Sequence, residues 1–224
     1  MMTFKVMTFN ICSCHNLKYD YVPDQTIRTI VNENPDIIAI NEMDKLNERN
    51  GFTDMPAIMA EQTGYNYYFG KSIDYRGGEY GNMIMSRHPI ISAVTIPIPQ
   101  TDGGENRSII KACVNIDGQF IDVLVSHYGL SFAERIHGVN TTLDLLGENP
   151  LIFMGDLNCT PDSGELDNIY AKLTDISAAF TFPSDKPNQK IDYIFVSPQL
   201  KAISATVIDT QVSDHRPYTA IISC

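Results

Sequence analysis

The sequence predicts an α/β domain in which two β-sheets pack face to face with helices on the outside. Two observations lead there. Short strand-like apolar runs outnumber helical stretches, and tight hairpins mix with segments that cross over as helices. A third observation points to function. Polar side chains of very few types recur at, or just beyond, the ends of the apolar runs.

The elements follow in chain order. Residues 4–11 alternate or run apolar and are strand-like. Residues 26–34 form a short helix that stops before Pro35, which disfavours helical geometry at the preceding residue. The continuous apolar run 36–40 is a buried strand. Residues 56–64 form a helix, with Pro56 in its first turn and Gly64 at its end. Residues 65–70 and 82–86 are strands, and Arg87-His88-Pro89 turns the chain into a strand over 90–96. Residues 109–116 and 119–126 form a hairpin around Asp117-Gly118. The longest helix is expected over 131–147, with Ser131 as N-cap and Glu134 completing a capping box. A strand over 151–154, a helix over 164–173 and strands over 190–196, 202–210 and 218–223 complete the set.

With 224 residues, 43% of them hydrophobic, the chain is long enough to bury a full core. No Gly/Ser-rich linker, charge block or repeat divides it, so a single domain over 1–224 is expected. Sixteen Lys and Arg stand against 27 Asp and Glu, a net charge of −11. Non-specific nucleic-acid binding rests on phosphate neutralisation, so the overall field opposes a DNA or RNA polyanion. The five cysteines are odd in number and include no Cys-x-x-Cys pair, which argues against a disulfide framework or a structural zinc site. No signal-peptide pattern and no apolar stretch of bilayer length is present. A reduced, soluble, cytoplasmic monomer is the expectation.

The strand ends carry the candidate chemistry. Glu42 leaves the run Ile37-Ile38-Ala39-Ile40-Asn41, and a carboxylate there is placed to hold Mg²⁺ or Mn²⁺, hard cations that prefer oxygen ligands. Asn10 ends the first strand, so its amide oxygen is placed to reach the same metal or its NH₂ a phosphate oxygen. Asp156 and Asn158 lie two apart in Gly155-Asp156-Leu157-Asn158 and share a face in an extended segment. The aspartate is suited to orient or deprotonate water, the asparagine to donate to a phosphoryl oxygen without adding charge. His127 follows Asp122-Val123-Leu124-Val125-Ser126, and His215 lies in Val212-Ser213-Asp214-His215-Arg216-Pro217. Either histidine is suited to give a proton or hydrogen bond to charge developing on oxygen. Asp192 and Asp214 are both candidates to orient a histidine, and Asp214 is alternatively a metal ligand. His15, His88 and His137 stand apart from this pattern. No Gly-x-Ser-x-Gly elbow or Gly-rich phosphate loop competes with it.

Thr8-Phe9-Asn10-Ile11, Ile40-Asn41-Glu42, Tyr80-Gly81-Asn82-Met83-Ile84-Met85-Ser86, Asn106-Arg107, Ser126-His127, Gly155-Asp156-Leu157-Asn158, Ile191-Asp192-Tyr193-Ile194-Phe195 and Ser213-Asp214-His215-Arg216-Pro217 occur in this order over nearly the whole chain. Together they resemble the endonuclease/exonuclease/phosphatase superfamily of Mg²⁺-dependent hydrolases. The resemblance implies a four-layer α/β sandwich, two mixed sheets face to face with helices outside, and one active site at the rim. It implies that Glu42 holds Mg²⁺ (with Mn²⁺ or Ca²⁺ as substitutes), with Asn10 close by and Asp214 beside the metal. It further implies that Asp156 orients or activates water, that Asn158 and His127 contact phosphoryl oxygens, and that His215 acts on the transition state, oriented by Asp192. Asn82 and Arg107 are implied to shape the pocket.

Two departures stand out. Asn41 replaces the glutamine usual before the metal-binding glutamate, and Cys12 stands where apurinic endonucleases carry aspartate. The expected activity is hydrolysis of a phosphoester by direct in-line water attack. A small-molecule or lipid-headgroup phosphodiester is favoured over a phosphomonoester, a nuclease substrate or a non-catalytic binding role. Specificity is expected in loops 16–25, 44–55, 72–79 and 100–105.

Overall fold

The computed structural model describes residues 2–100, 103–177 and 179–224. One six-stranded sheet is built from β1 (Thr3–Asn10), β2 (Ile37–Lys45), β3 (Asn66–Tyr75), β4 (Gly78–Ser86), β11 (Lys201–Val207) and β12 (Tyr218–Ser223), in the order β11-β12-β1-β2-β4-β3. The other comprises β5 (Ile90–Ile98), β6 (Arg107–Ile116), β7 (Gln119–His127), β8 (Leu151–Asp156), β9 (Thr174–Asp175) and β10 (Asp192–Val196), in the order β5-β6-β7-β8-β10-β9. Both sheets are mixed: β1–β2 and β7–β8 pair in parallel, and their neighbours antiparallel.

Strand periodicity sorts the side chains into layers. Phe4 and Val6 of β1 and Ile37 and Ala39 of β2 meet Val123 and Val125 of β7 and Ile152 and Met154 of β8 between the sheets. The opposite faces of β1 and β2, with Met7, Phe9, Ile38 and Ile40, are covered by α1 (Pro23–Glu33) and α2 (Met55–Thr63). Leu124, Phe153 and Phe195 on the outer face of the second sheet are covered by α3 (Phe132–Asp144) and α4 (Asp167–Tyr170). The result is the four-layer sandwich the sequence implied. No helix among the described residues is long and apolar enough to cross a bilayer.

The α3 capping box forms in both directions: Glu134 N–H donates to Ser131 Oγ at 3.3 Å, and Ser131 N–H to Glu134 Oε2 at 2.8 Å. Elsewhere the boundaries move. α1 begins at Pro23, whose missing N–H is harmless at a first turn, and closes on Asn34 in a left-handed conformation. The helix expected over 164–173 shrinks to α4, because Gly164 (φ 78°) ends a short 3₁₀ turn there instead. β11 stops at Val207, paired with Tyr218; the preceding Pro217 has no N–H to extend the ladder.

One expected loop is largely strand, and another begins with two strand residues. Residues 72–79 form the β3–β4 hairpin, turning at Arg76-Gly77 with φ of 45° and 82°. β2 runs on to Lys45, where Asp44 accepts two hydrogen bonds from Arg49, of 2.7 and 2.8 Å. In the loop 100–105, Thr101 and Asp102 lie outside the described residues.

Candidate active site

The rows that fill the inter-sheet core turn polar at one end. Phe4 and Val6 lead to Thr8 and Asn10; Ile37 and Ala39 to Asn41; Val123 and Val125 to His127; Ile152 and Met154 to Asp156; Ile194 back to Asp192. Strand register then sets these ends side by side. Asn10 lies opposite Asn41, His127 opposite Asp156, and Asp156 opposite Asp192. The β7–β8 pairing needs Gly155: at its φ of 145°, a Cβ would sit 1.9 Å from the Ser126 carbonyl oxygen.

Glu42 does not follow from the alternation. By parity it would join Ile38 and Ile40 on the helix-covered face. The β2–β4 register shifts between Ile40 and Met43, and Glu42 has φ of 60°. This bulge re-aims the side chain to the rim, where Asn10 Nδ2 donates to Glu42 Oε1 at 3.0 Å. The same Nδ2 donates to Asp156 Oδ2, also at 3.0 Å. One amide thus stands between two carboxylates. Burial first, and then the Asp214 carboxylate, push the Glu42 pKa up, against the Asn10 hydrogen bond. Among the described residues no lysine or arginine forms a salt bridge with Glu42.

On the other side of Asp156 stand the two histidines. His215 Nδ1 lies 2.9 Å from Asp192 Oδ2, which also accepts from Thr181 Oγ1 at 2.6 Å. His215 Nε2 lies 3.6 Å from Asp156 Oδ2. Burial opposes charge on this ring, but Asp192 and then Asp156 outweigh it and hold the pKa up at about 10. His215 is therefore an imidazolium at neutral pH. His127 is the opposite case. Arg107 Nη1 lies 2.9 Å from its Nδ1, which must accept, so the ring proton is on Nε2, 3.5 Å from Asp156 Oδ2. Burial, with the charges of Arg107 and His215, pushes the His127 pKa well below its usual value. The site pairs one charged and one neutral imidazole across a single carboxylate. Asp156 itself is lifted to about 7, by burial above all and by Asp192, against the pull of His215.

The remaining candidates hold the loops. Asn158, at φ 51°, donates from Nδ2 to the Tyr128 carbonyl at 3.0 Å, and its backbone N–H donates to Asp156 Oδ1 at 2.9 Å. Asp214 accepts from Ser213 Oγ at 3.2 Å and lies against Cys12, whose thiol is pushed up to about 12 by burial and by Asp214 and Glu42. Asp156, Asp192 and His215 present ligand atoms within 4.8 Å of one another and could hold a metal, although His215 and Asp192 are already bonded to each other. Glu42, Asn10 and Asp214 offer only hard oxygen donors besides the Asn10 nitrogen. His15, His88 and His137 bond elsewhere, to Cys12, Asp36 and Pro99.

Several contributors were assigned no role from the sequence. Asn41 donates to Asn82 Oδ1 at 2.8 Å and to the Ser126 carbonyl at 3.0 Å, and accepts from the Asp156 N–H at 2.9 Å. It ties the two sheets together at the site. Its parity with Ile37 and Ala39 was a readable signal. Thr181 sits in irregular chain and gave none. Ser213 Oγ locks the last loop to the first strand through the Asn10 carbonyl at 2.7 Å.

A two-sheet sandwich with a rim of acids, amides and histidines suits hydrolysis of a phosphoester, where charge on oxygen must be stabilised. A family profile described as the Endonuclease/Exonuclease/phosphatase family matches residues 7–215, and the chain belongs to that family. It is 25% identical to the uncharacterized protein YbhP of Escherichia coli strain K12, over 98% of this chain and 96% of that one. Among solved structures it is similar to an endonuclease/exonuclease/phosphatase of Beutenbergia cavernae DSM 12333, with TM-score 0.85 and 22% identity over 99% of this chain and 72% of that one. It is also similar to the mannosyl-6-phosphatase Bt3783 of Bacteroides thetaiotaomicron VPI-5482, with TM-score 0.82 and 17% identity over 99% of this chain and 100% of that one.

Proposed function

We propose that the chain is a metal-dependent phosphoesterase that hydrolyses its substrate by direct in-line attack of water. The observation that carries the reading is one unbroken series of contacts on the rim. It runs from Thr181 to Asp192 (2.6 Å), His215 (2.9 Å), Asp156 (3.6 Å), Asn10 (3.0 Å) and Glu42 (3.0 Å).

Phosphoryl transfer asks chiefly for positioning and for stabilisation of charge on oxygen. His215, held charged by Asp192, donates from Nε2 to a phosphoryl or leaving oxygen. His127, held neutral with its proton on Nε2, adds a second donor on the other side of Asp156. Asp156, with its pKa near 7, is matched to orienting water and taking its proton. The Asn158 backbone N–H fixes the Asp156 carboxylate, and its Nδ2, bonded to the Tyr128 carbonyl, keeps a second N–H for a phosphoryl oxygen. Glu42 and Asp214 are the carboxylates that would hold Mg²⁺, with Mn²⁺ or Ca²⁺ as substitutes, Glu42 having no cationic partner and being uncomfortable as an anion; Asn10, whose Nδ2 faces Glu42 while its Oδ1 accepts from the Cys12 N–H, would join them only by turning its amide. The ion supplies positive charge to phosphoryl oxygens when bound.

The net charge of −11 disfavours a nucleic-acid polyanion. A phosphodiester of small-molecule or lipid-headgroup type is the first substrate class. The name of the Bacteroides neighbour brings a sugar phosphomonoester into the same panel.

The test is hydrolysis of bis(p-nitrophenyl) phosphate, p-nitrophenyl phosphate, a hexose 6-phosphate, abasic and intact DNA, RNA, sphingomyelin and inositol phosphates, with and without Mg²⁺. His215→Ala should lower turnover by about 10²-fold or more without loss of fold. No turnover of any member with Mg²⁺, Mn²⁺ or Ca²⁺ would replace the enzyme with a binding domain on the same fold.

A further inference from the structure

Beside His127 the sheets part at their edge strands and leave a cleft of about 410 Å³, within the size range of small-ligand sites. β3 supplies Lys71 and Ser72, β5 supplies Thr95, and Asn106, Arg107 and Ser108 close its inner end. Arg107 joins the cleft to the reaction site: it lines the cleft while its Nη1 contacts His127, and its Nε has no hydrogen-bond partner.

The charges in the cleft are already balanced. Lys71 lies 3.0 Å from Asp74 and 3.8 Å from Glu79, and Arg107 lies 3.1 Å from Glu105. A second phosphate or carboxylate on the ligand would meet three acids beside two cations. What the cleft offers instead is hydroxyl groups, an amide and N–H donors. Ser72 and Ser108 share a hydrogen bond of 2.8 Å across the two sheets, and Asn106 is exposed. Pro97 and Ile98 add an apolar wall, and among the described residues no aromatic ring lines the cleft for a base to stack on.

We infer that this cleft takes an uncharged polyhydroxy group, a sugar or polyol, as the alcohol portion of the phosphoester cut at the adjacent rim. The inference rests on the hydrolase reading and names its substrate class. Hydroxyls accept from the charge-balanced Arg107 and both donate to and accept from Asn and Ser side chains, whereas an anionic group needs surplus positive charge.

Matched esters test it. Turnover of hexose 6-phosphate is compared with p-nitrophenyl phosphate, and glycerophosphoinositol with bis(p-nitrophenyl) phosphate. Asn106→Ala should lower kcat/KM on the polyol esters about tenfold, through KM, and leave the aryl esters within about twofold. Ser72→Leu, which fills the cleft from a second strand, should do the same. Equal losses on both ester types, or no loss on either, would overturn the inference. If the wild-type protein turns over no ester, the hydrolase reading fails, and NMR titration with free myo-inositol and free hexose decides separately. Amide shifts confined to Ser72, Thr95 and Ser108 and weakened in Asn106→Ala sustain the cleft assignment. Their absence at saturating polyol overturns it.

Discussion

Asp192→Asn isolates the electrostatics of the site, because it removes one charge and keeps the side-chain shape. In the native protein a buried ring would resist protonation, yet His215 is held near pKa 10 by Asp192 first and Asp156 second. Against an ordinary 6.5, that corresponds to about 5 kcal/mol of preference for the charged ring, since each pKa unit is about 1.36 kcal/mol. Asp192 acts both through space and through the 2.9 Å hydrogen bond. Its loss should bring His215 to about 8 or lower. The folded pKa lies above the unfolded one, so the stabilisation is complete below pH 6.5 and lost as pH rises through 10. Asp192→Asn should therefore destabilise the protein by about 3–5 kcal/mol at pH 6 and by much less at pH 10.5. Histidine ring NMR measures the titration, and urea unfolding at the two pH values measures the stability. Activity should fall most steeply at pH 8, where the wild-type ring is charged and the variant ring is losing its proton. A His215 titration unmoved by the substitution, or a penalty equal at pH 6 and 10.5, would refute the pairing.

Three further variants test the site and the fold. Glu42→Gln should raise the melting temperature of the metal-free protein at pH 8, because burial and Asp214 push this carboxyl up and its ionised form costs stability as pH rises. The same variant should weaken apparent Mg²⁺ affinity at least about tenfold, measured as loss of the Mg²⁺-induced rise in melting temperature. His127 stays neutral when folded, while the unfolded ring takes a proton below pH 6.5, so stability falls as pH falls; His127→Gln should flatten that decline by up to about 1.4 kcal/mol per pH unit, read from urea midpoints between pH 6.5 and 5. Gly155→Ala should cost about 3 kcal/mol or more, or prevent folding, because its Cβ collides with the Ser126 carbonyl at a φ that disfavours alanine; thermal unfolding checks it.

The parts legible in the sequence were those where local chemistry and period agree. The Ser131–Glu134 capping box, the Asp117-Gly118 hairpin and the apolar core runs all depend on residues close in sequence, and each formed where expected. The β3–β4 hairpin escaped because its outer half mixes Lys71, Asp74 and Glu79 with half-buried residues, so no apolar alternation marks it, and its Arg76-Gly77 turn lacks the Asn-Gly signature. The site residues His127, Asp156, Asp192 and Asn10 were legible as polar ends of apolar runs. Their roles relative to one another were not. That His127 is neutral and His215 charged follows from Arg107 and Asp192, which lie 20 and 23 residues away in the chain. Thr181, in irregular chain, carried no pattern at all.

Glu42 shows why such a site resists being built by periodicity alone. A regular β2 would bury its carboxylate under the helices with Ile38 and Ile40, where it would have no partner. One extra residue in left-handed geometry turns it to the rim and brings it to Asn10. The strain of a non-glycine residue at φ of 60° is then borne by β2, which is paired on both sides, with β1 and β4. The apolar rows set the direction in which the rim faces, and the bulge supplies the one group those rows cannot. Asn41 sits immediately before the bulge and bonds twice to the opposite sheet and once to Asn82 of the neighbouring β4, so it holds the strand at the point where it departs from its register. Its amide joins β2 to β7 and β8 across the sandwich, beside the point where the Asn10 amide spans Glu42 and Asp156.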